Sequence, residues 1–301
     1  MADNVFLSNA TSPNWTTAGS WSTGSAPVNG DIVFLTNNNT LLTLGLNNST
    51  VALTSLNMVM DFTGQLGVNG SSNQYLQIAA TTGNIGLASA GGQIGSGSTV
   101  FNWDAGTSST VVNILTSSNG GSVGNAPIKI KGTALTINQV GGIFSVAALA
   151  SETATVNTLT VTSSAQGVSP QAWVGPQCNM KTLTMSSGAV YDSSQQVTTS
   201  ASLSRSGTLL TYTGTGGFAT LEVDAGAAVR YNGSGSVNSV ILTGSIDLSG
   251  GGGAVTFGNT TLYRGAIIND PLGRLVFTNP PTIVGCSRTE VSINLGVGRY
   301  V

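Results

Sequence analysis

The sequence predicts an all-β chain wound as a parallel β-solenoid, or β-helix, with a tryptophan-containing cap at its N-terminal end. Three observations predict it. A short alternating phrase recurs between Ala154 and Leu248: Thr158-Leu159-Thr160-Val161, Thr182-Leu183-Thr184-Met185, Thr220-Leu221-Glu222-Val223 and Ser239-Val240-Ile241-Leu242. Period-two alternation of apolar and polar residues is the mark of a half-buried strand. Two of the phrases are followed by a small-residue corner and a second strand, Ser187-Gly188-Ala189-Val190-Tyr191 and Ala225-Gly226-Ala227-Ala228-Val229. Finally, only 7% of the residues are charged, against about 25% in ordinary globular chains. A 40% hydrophobic fraction, evenly spread, still leaves ample surface to bury, which excludes disorder. No apolar run approaches the ~20 residues of a spanning helix. A β-rich protein coated with Ser, Thr and Asn remains.

Taken in order, residues 1–35 read as the cap. They hold Trp15 and Trp21, two of the four tryptophans, and the turn Asn29-Gly30-Asp31 feeds a first firm strand at Ile32–Leu35. The open end of a stacked β structure exposes apolar side chains and strand edges, and bulky residues must cover them. Residues 36–260 form a β-rich repeat body. Its first strands are Leu41 to Leu44, Val51 to Asp61 and Tyr75 to Ala79. Residues 81–126 are the richest in Gly and Ser, interrupted by strands at Thr99 to Trp103 and Thr110 to Leu115, and read as thin rungs with long corners. In Ile128-Lys129-Ile130-Lys131 the two lysines share one face, which suggests solvent or an anionic partner, with solvent the expectation. Ser145 to Ala154 is the one stretch where a short helix is expected. The key positions of the phrases are Leu159, Leu183, Leu221 and Val240-Ile241-Leu242, and the interval from Leu183 to Leu221 is much the longest. Solenoid rungs are nearer constant, so the interval holds either insertions or an undetected turn, with Thr208-Leu209-Leu210-Thr211 as the candidate for the turn. The alternative architecture is a set of antiparallel sandwiches or jelly rolls. Gly250–Gly253 lacks the following helix and lysine of a phosphate loop and reads as a corner. Residues 261–301, with more Arg and Pro, read as a C-terminal cap or attachment module.

The segments Asn14-Trp15-Thr16-Thr17-Ala18-Gly19-Ser20-Trp21 and Ala26-Pro27-Val28-Asn29-Gly30-Asp31-Ile32-Val33 resemble the opening of autotransporter-type β-solenoid passengers and of related bacteriophage virion proteins. The resemblance covers the cap and first strand closely and the repeat style of the rest loosely. It implies a β-solenoid or β-rich stalk. Secreted passengers carry a leader and a C-terminal membrane barrel. The start Met1-Ala2-Asp3-Asn4-Val5 has no basic region followed by an apolar stretch, which is not a secretory signal as it stands. The expectation is therefore a virion protein assembled in the host cytoplasm.

The absence of His removes His-based nucleophilic triads, and with Cys178 and Cys286 isolated it removes a zinc site. The cysteines are expected free and partly buried. No cofactor or metal is expected. The net charge of −2 gives no footprint for nucleic acid, and no membrane partner is expected. The charges are unevenly placed: residues 1–128 hold only Asp3, Asp31, Asp61 and Asp104, and all nine basic residues lie from Lys129 onward. The two ends are thus expected either to differ by chance or to face different partners. The least unlikely catalytic set is Glu222, Asp224, Arg230 and Asp247, an arrangement in the manner of β-helix polysaccharide-degrading enzymes. Paired carboxylates must converge to within about 5–10 Å for such chemistry, and a solvated face is the expectation. The chain is therefore read as non-enzymatic. It is expected to be a structural virion protein, a capsid decoration (cement) protein or a tail-associated stalk, acting through contacts among its own copies, with a trimer favoured, and with capsid or tail proteins. The alternative is a cell-surface adhesin or glycan-binding solenoid that stacks sugars on Trp15, Trp21, Trp103 or Trp173.

Overall fold

The computed structural model describes residues 2–36, 38–59, 62–70, 73–87, 100–115, 126–163 and 169–296. They form 26 strands, and every strand-to-strand pairing is parallel. The antiparallel sandwich is overturned by this, since sandwiches are built on antiparallel neighbours.

Two ladders of strands run the length of the body. One begins at Asp3–Phe6, Ile32–Leu35 and Asn47–Val59 and continues through Ala154–Val161, Cys178–Met185, Thr198–Leu203, Gly217–Val223, Gly235–Leu242 and Val255–Leu262. The other runs from Leu41–Leu42 and Gln65–Leu66 through Gln171–Val174, Ala189–Asp192, Leu209–Tyr212 and Ala228–Tyr231 to Ser292–Asn294. The chain alternates between the ladders, as a coil must. In the long first-ladder strands the burial alternation slips: Ala154, Val156, Leu159 and Val161 are buried, with two uncovered residues, Asn157 and Thr158, in the middle. Both halves can aim apolar residues at one core only if the strand bends there. Beyond Val255–Leu262 the two halves separate, for Leu275–Phe277 pairs with its first half and Thr282–Ile283 with its second. Each coil therefore has three short sides around an apolar centre.

The core consists of columns of like side chains stacked coil on coil. Leu159, Leu183, Ala201, Leu221 and Val240 form one column, Val161, Met185, Leu203, Val223 and Leu242 the next, all essentially fully buried. These registers locate the missing turn. Leu183 is followed in the column by Ala201, and Ala201 by Leu221, so the long interval divides into two nearly equal coils. The missed phrase is Ser200-Ala201-Ser202-Leu203, and the candidate near Thr208–Thr211 belongs to the opposite ladder of that coil. Gly83 occupies the leucine column between Leu56 and Val112 because the Trp103 ring fills its place. A Cβ there would lie 2.3 Å from the indole.

The N-terminal cap closes both ladders. Ser20–Ser22 runs antiparallel along the free edge of Asp3–Phe6 (Leu7 N donates to Ser20 O at 2.9 Å, Ser22 N to Val5 O at 2.9 Å). Pro13–Trp15 covers the edge of Leu41–Leu42 and the residues after it (Trp15 N donates to Leu44 O at 3.0 Å). Between them Trp21 packs edge-on against both Phe6 and Trp15, at 5.2 and 4.8 Å between ring centres, and its Nε1 donates to Trp15 O at 2.9 Å.

Two local expectations fail. Ser145 to Ala154 holds no helix: Ile143–Val146 is a strand, Ala147 turns with φ 48°, and a new strand starts at Ala154. Ile143–Val146 already pairs on both sides, and ladder bonds outcompete local helix here. Nor do the lysines both meet solvent. Lys129 is fully buried, where it contacts Asn69 Oδ1, and Lys131 pairs with Asp104 at 3.2 Å. Val51 to Asp61 ends outside the described residues, as do parts of the 81–126 stretch.

Candidate functional site

The four polar residues singled out from the sequence do not converge. Glu222 stands on the outward side of the first ladder, in register with Ser202 and Ile241. Asp224 lies beyond the end of its strand, on the exposed corner that follows. Arg230 and Asp247 face each other on the second ladder, the opposite ladder from Glu222, and the neighbours Val223 and Val229 turn into the core from the two ladders. Asp247 is engaged as an acceptor: Ser249 N and Oγ donate to it at 3.0 and 2.9 Å, and Asn269 Nδ2 at 2.9 Å. Its slight burial alone would raise its pKa. The Ser249 and Asn269 hydrogen bonds, with Arg230 nearby, outweigh that and hold it below the usual carboxylate range. Such a carboxylate is a structural acceptor and a poor proton donor at neutral pH.

Of the tryptophans, Trp15, Trp21 and Trp103 are buried, so none of them is a platform for a ligand; Trp103 donates to Ile78 O at 2.8 Å. Trp173 is partly exposed. It stacks on Tyr191 of the next coil with ring centres 3.9 Å apart and planes 11° from parallel, because the two occupy the same register position. The outward column continues through Thr211, Arg230, Asp247, Asn269 and Asn294, and Asn294 Nδ2 donates to Asn269 Oδ1 at 2.8 Å. This column was not legible as a unit, since its members lie at unequal spacings and carry different chemistry.

The C-terminal end differs from the N-terminal one. Among the described residues, Leu275–Phe277, Thr282–Ile283 and Ser292–Asn294 each have a strand on one side only. Around them Tyr263, Ile267, Leu272, Val276 and Val284 are exposed, half of the large exposed apolar residues of the described chain. The arginines Arg264 and Arg274 are already used. Arg264 pairs with Glu290 at 3.0 Å. Arg274, almost fully buried, donates to the carbonyls of Gly253, Tyr231, Leu248, Gly250 and Gly233. The four-glycine run is thus the corner that wraps this guanidinium, and a Cβ on Gly252 would lie 2.4 Å from Arg274 Nη2. Arg274 therefore adds no exposed positive charge to this end.

Cys178 is buried, Cys286 partly so, and both are free. Burial pushes the Cys178 thiol well up, with Asp192 adding to it, which leaves it unreactive. Among the described residues no group of three His, Cys, Asp or Glu side chains is placed to hold a metal ion, and no helix is long and apolar enough to cross a membrane. Comparisons with protein families, curated proteins and solved structures find no match for this chain.

Proposed function

We propose that the chain is a non-enzymatic structural protein of a bacteriophage virion, a capsid decoration protein or tail-associated stalk that attaches through its C-terminal end. The observation that carries this reading is the difference between the two ends. The first coil is closed over both strand edges by hydrogen-bonded chain and an aromatic cluster, whereas the last described strands offer unpaired edges ringed by Ile267, Leu272, Val276 and Val284. Unpaired strand edges with exposed apolar side chains near them are candidate association surfaces, which soluble monomers normally protect. The dispersed acids and the absence of His support a mechanical role. In this reading the buried area at the contact, rather than chemistry, stabilises the shell or tail, and three copies gather around an axis.

Immunolabelling of producing cells and their particles by electron microscopy tests it. Regular label on particle heads or tails is the expected result. Label confined to the cell envelope, with bare particles, would sink it. The double substitution Leu272→Glu and Val276→Lys should leave a folded protein that no longer joins the particle.

A second reading, a cell-surface adhesin, is favoured by one observation, the partly exposed Trp173–Tyr191 stack. Envelope label together with loss of surface adhesion in Tyr191→Ala would promote it.

A further inference from the structure

The geometry points to an oligosaccharide-binding groove on the N-terminal half, apart from the open end and the aromatic stack. It goes beyond the structural role proposed above and does not depend on it.

The groove arises where the coils are overbuilt. Asn47–Val59 and Leu76–Leu87 run 13 and 12 residues, against 8 in Ala154–Val161 or Gly235–Leu242. Their early residues extend beyond the regular stack, and Leu76–Gln77 turns to pair with Trp103–Asp104 of the opposite ladder. The overhang encloses a groove of about 440 Å³ lined by Asn47, Asn73, Gln74, Tyr75, Gln77 and Lys131, among others. A second depression of about 260 Å³ shares Gln77 and is lined by Ser49, Asp104, Thr107 and Ser108. The Lys131–Asp104 ion pair spans the two, since each depression holds one partner.

A polar network ties the lining residues Asn73, Gln74 and Lys131 to their neighbours. Asn102 Nδ2 donates to Val68 O, Asn69 Oδ1 and Gln74 O at 3.1 to 3.2 Å. Asn73 Nδ2 donates to Glu152 Oε1 at 3.0 Å, and Lys131 Nζ sits 4.7 Å above the Tyr75 ring. Lys129 completes the network through Asn69. Asn102 Oδ1, on the side chain that donates to the 68–74 carbonyls, is buried without a partner, so the network is satisfied on its donor side only, and buried polar groups hold their surroundings firmly only where they are paired.

The lining selects the ligand. Among the described residues, the side-chain amides of Gln74 and Gln77 make no hydrogen bond within the chain, although each presents two donors and an acceptor. Beside them stand a carboxylate, an ammonium and several hydroxyls. A polyhydroxylated chain matches this mixture, since every hydroxyl both donates and accepts. A nucleic acid or polyphosphate does not, because the single cation of the lining is already paired with Asp104. Leu44, Leu46 and Tyr75 stand among these polar groups and offer apolar edges suited to the C–H face of a sugar. Two neighbouring depressions that share Gln77 offer places for more than one sugar unit.

The test uses the full chain and an array of linear oligosaccharides in three classes: neutral hexose, N-acetylhexosamine-containing and uronate-containing. At least one class should bind. Gln77→Ala should weaken it about tenfold, in line with one lost hydrogen bond to a ligand, with an unchanged circular dichroism spectrum, and Lys131→Ala should weaken it as well. Tyr191→Ala should leave it unchanged. No binding in any class overturns the proposal. So does binding that ignores Gln77→Ala and Lys131→Ala but is lost in Tyr191→Ala, which would place the sugar on the aromatic stack. Neither outcome bears on where the protein is assembled.

Discussion

The same outward column of the first ladder is built in two ways. In the N-terminal half its members are Asn57, Asn84, Asn113 and Asn138; in the following coils they are Thr160, Thr184 and Ser202. The asparagines bond to each other, Asn84 to Asn57 at 2.8 Å, Asn113 to Asn84 at 2.8 Å and Asn138 to Asn113 at 3.0 Å, and Asn57 closes the chain on Val33 O. The threonine hydroxyls form no such chain. Neighbouring strands lie about 4.8 Å apart. A carboxamide spans that gap with its oxygen on one side and its nitrogen on the other, whereas a single hydroxyl oxygen cannot reach its counterpart at hydrogen-bond distance.

The two halves also differ in coil length. In the N-terminal half, successive coils carry the leucine column from Leu56 to Gly83, then to Val112, then to Ile137. In the regular half the same number of steps runs only from Leu183 to Ala201, to Leu221 and to Val240, a markedly shorter stretch of chain. Long coils carry insertions, and insertions weaken the constraint on register. The amide ladder sits where register most needs fixing. The short coils are fixed by close corners instead, the Arg274 corner above all.

That corner gives the largest expected effect. Arg274→Ala should lose about 3 kcal/mol or more in urea unfolding, because charge-assisted bonds to five carbonyls disappear and the carbonyls stay buried. Arg274→Lys should recover little, since an ammonium cannot replace the planar fork across five acceptors. A loss under about 1 kcal/mol, no more than one ordinary hydrogen bond, would mean that the short coils do not depend on this corner.

Next comes a pH effect confined to the regular half. Asp192 points into the core, fully buried, with Oδ1 bonded to Ser194 N at 2.8 Å and Oδ2 without a partner. Desolvation pushes its pKa up to about 6, despite the lowering effect of the Ser194 bonds. The folded state therefore holds its proton more tightly than the unfolded state does. The stability linked to this group is fully present below about pH 4 and lost as pH rises through about 6, amounting to about 3 kcal/mol. Unfolding free energy should fall across that window in the native protein, and Asp192→Asn should flatten the profile. An unchanged slope in the variant would assign the pH dependence to other groups.

Much of the architecture was legible in the sequence, and the failures have physical causes. Thr158–Val161 and Thr182–Met185 announced the first ladder because large apolar residues fill its inward positions. The coil between them and Thr220 escaped because Ala201 takes the leucine position, and a small residue carries no amphipathic signal. Lys129 looked solvated because its partner Asn69 lies far earlier in the chain, and no local pattern reports that. The asparagine ladder was invisible for a related reason: insertions give its members no constant period. Of the candidate residues, Trp173 kept a place on the surface, while Trp15, Trp21 and Trp103 went to the core. Composition alone cannot separate a buried indole from a platform.

The amide ladder itself is tested by smaller changes. Asn113→Ala removes one bond donated to Asn84 and one accepted from Asn138, and should cost about 1–2 kcal/mol. Thr184→Ala, at the equivalent position of a short coil, should fall within about 0.5 kcal/mol of the native protein. Equal costs would mean that the two halves are held alike.

The smallest effect is a gain. Thr160 is in register with Asn138, whose Oδ1 accepts no bond from the coil that follows. In the ladder each Nδ2 donates to the Oδ1 of the preceding coil, so Thr160→Asn supplies the next donor in the correct sense. One added amide hydrogen bond is worth about 0.5–1.5 kcal/mol, and the lost β-propensity of threonine takes back part of it. A net gain of about 0.5 kcal/mol is expected, read as a raised urea midpoint with an unchanged slope. The same change at Thr184, which has no asparagine before it, should give none. If both positions respond alike, the benefit comes from the residue type and the ladder is not cooperative. If only position 160 responds, the amide chain can be extended coil by coil into the regular half.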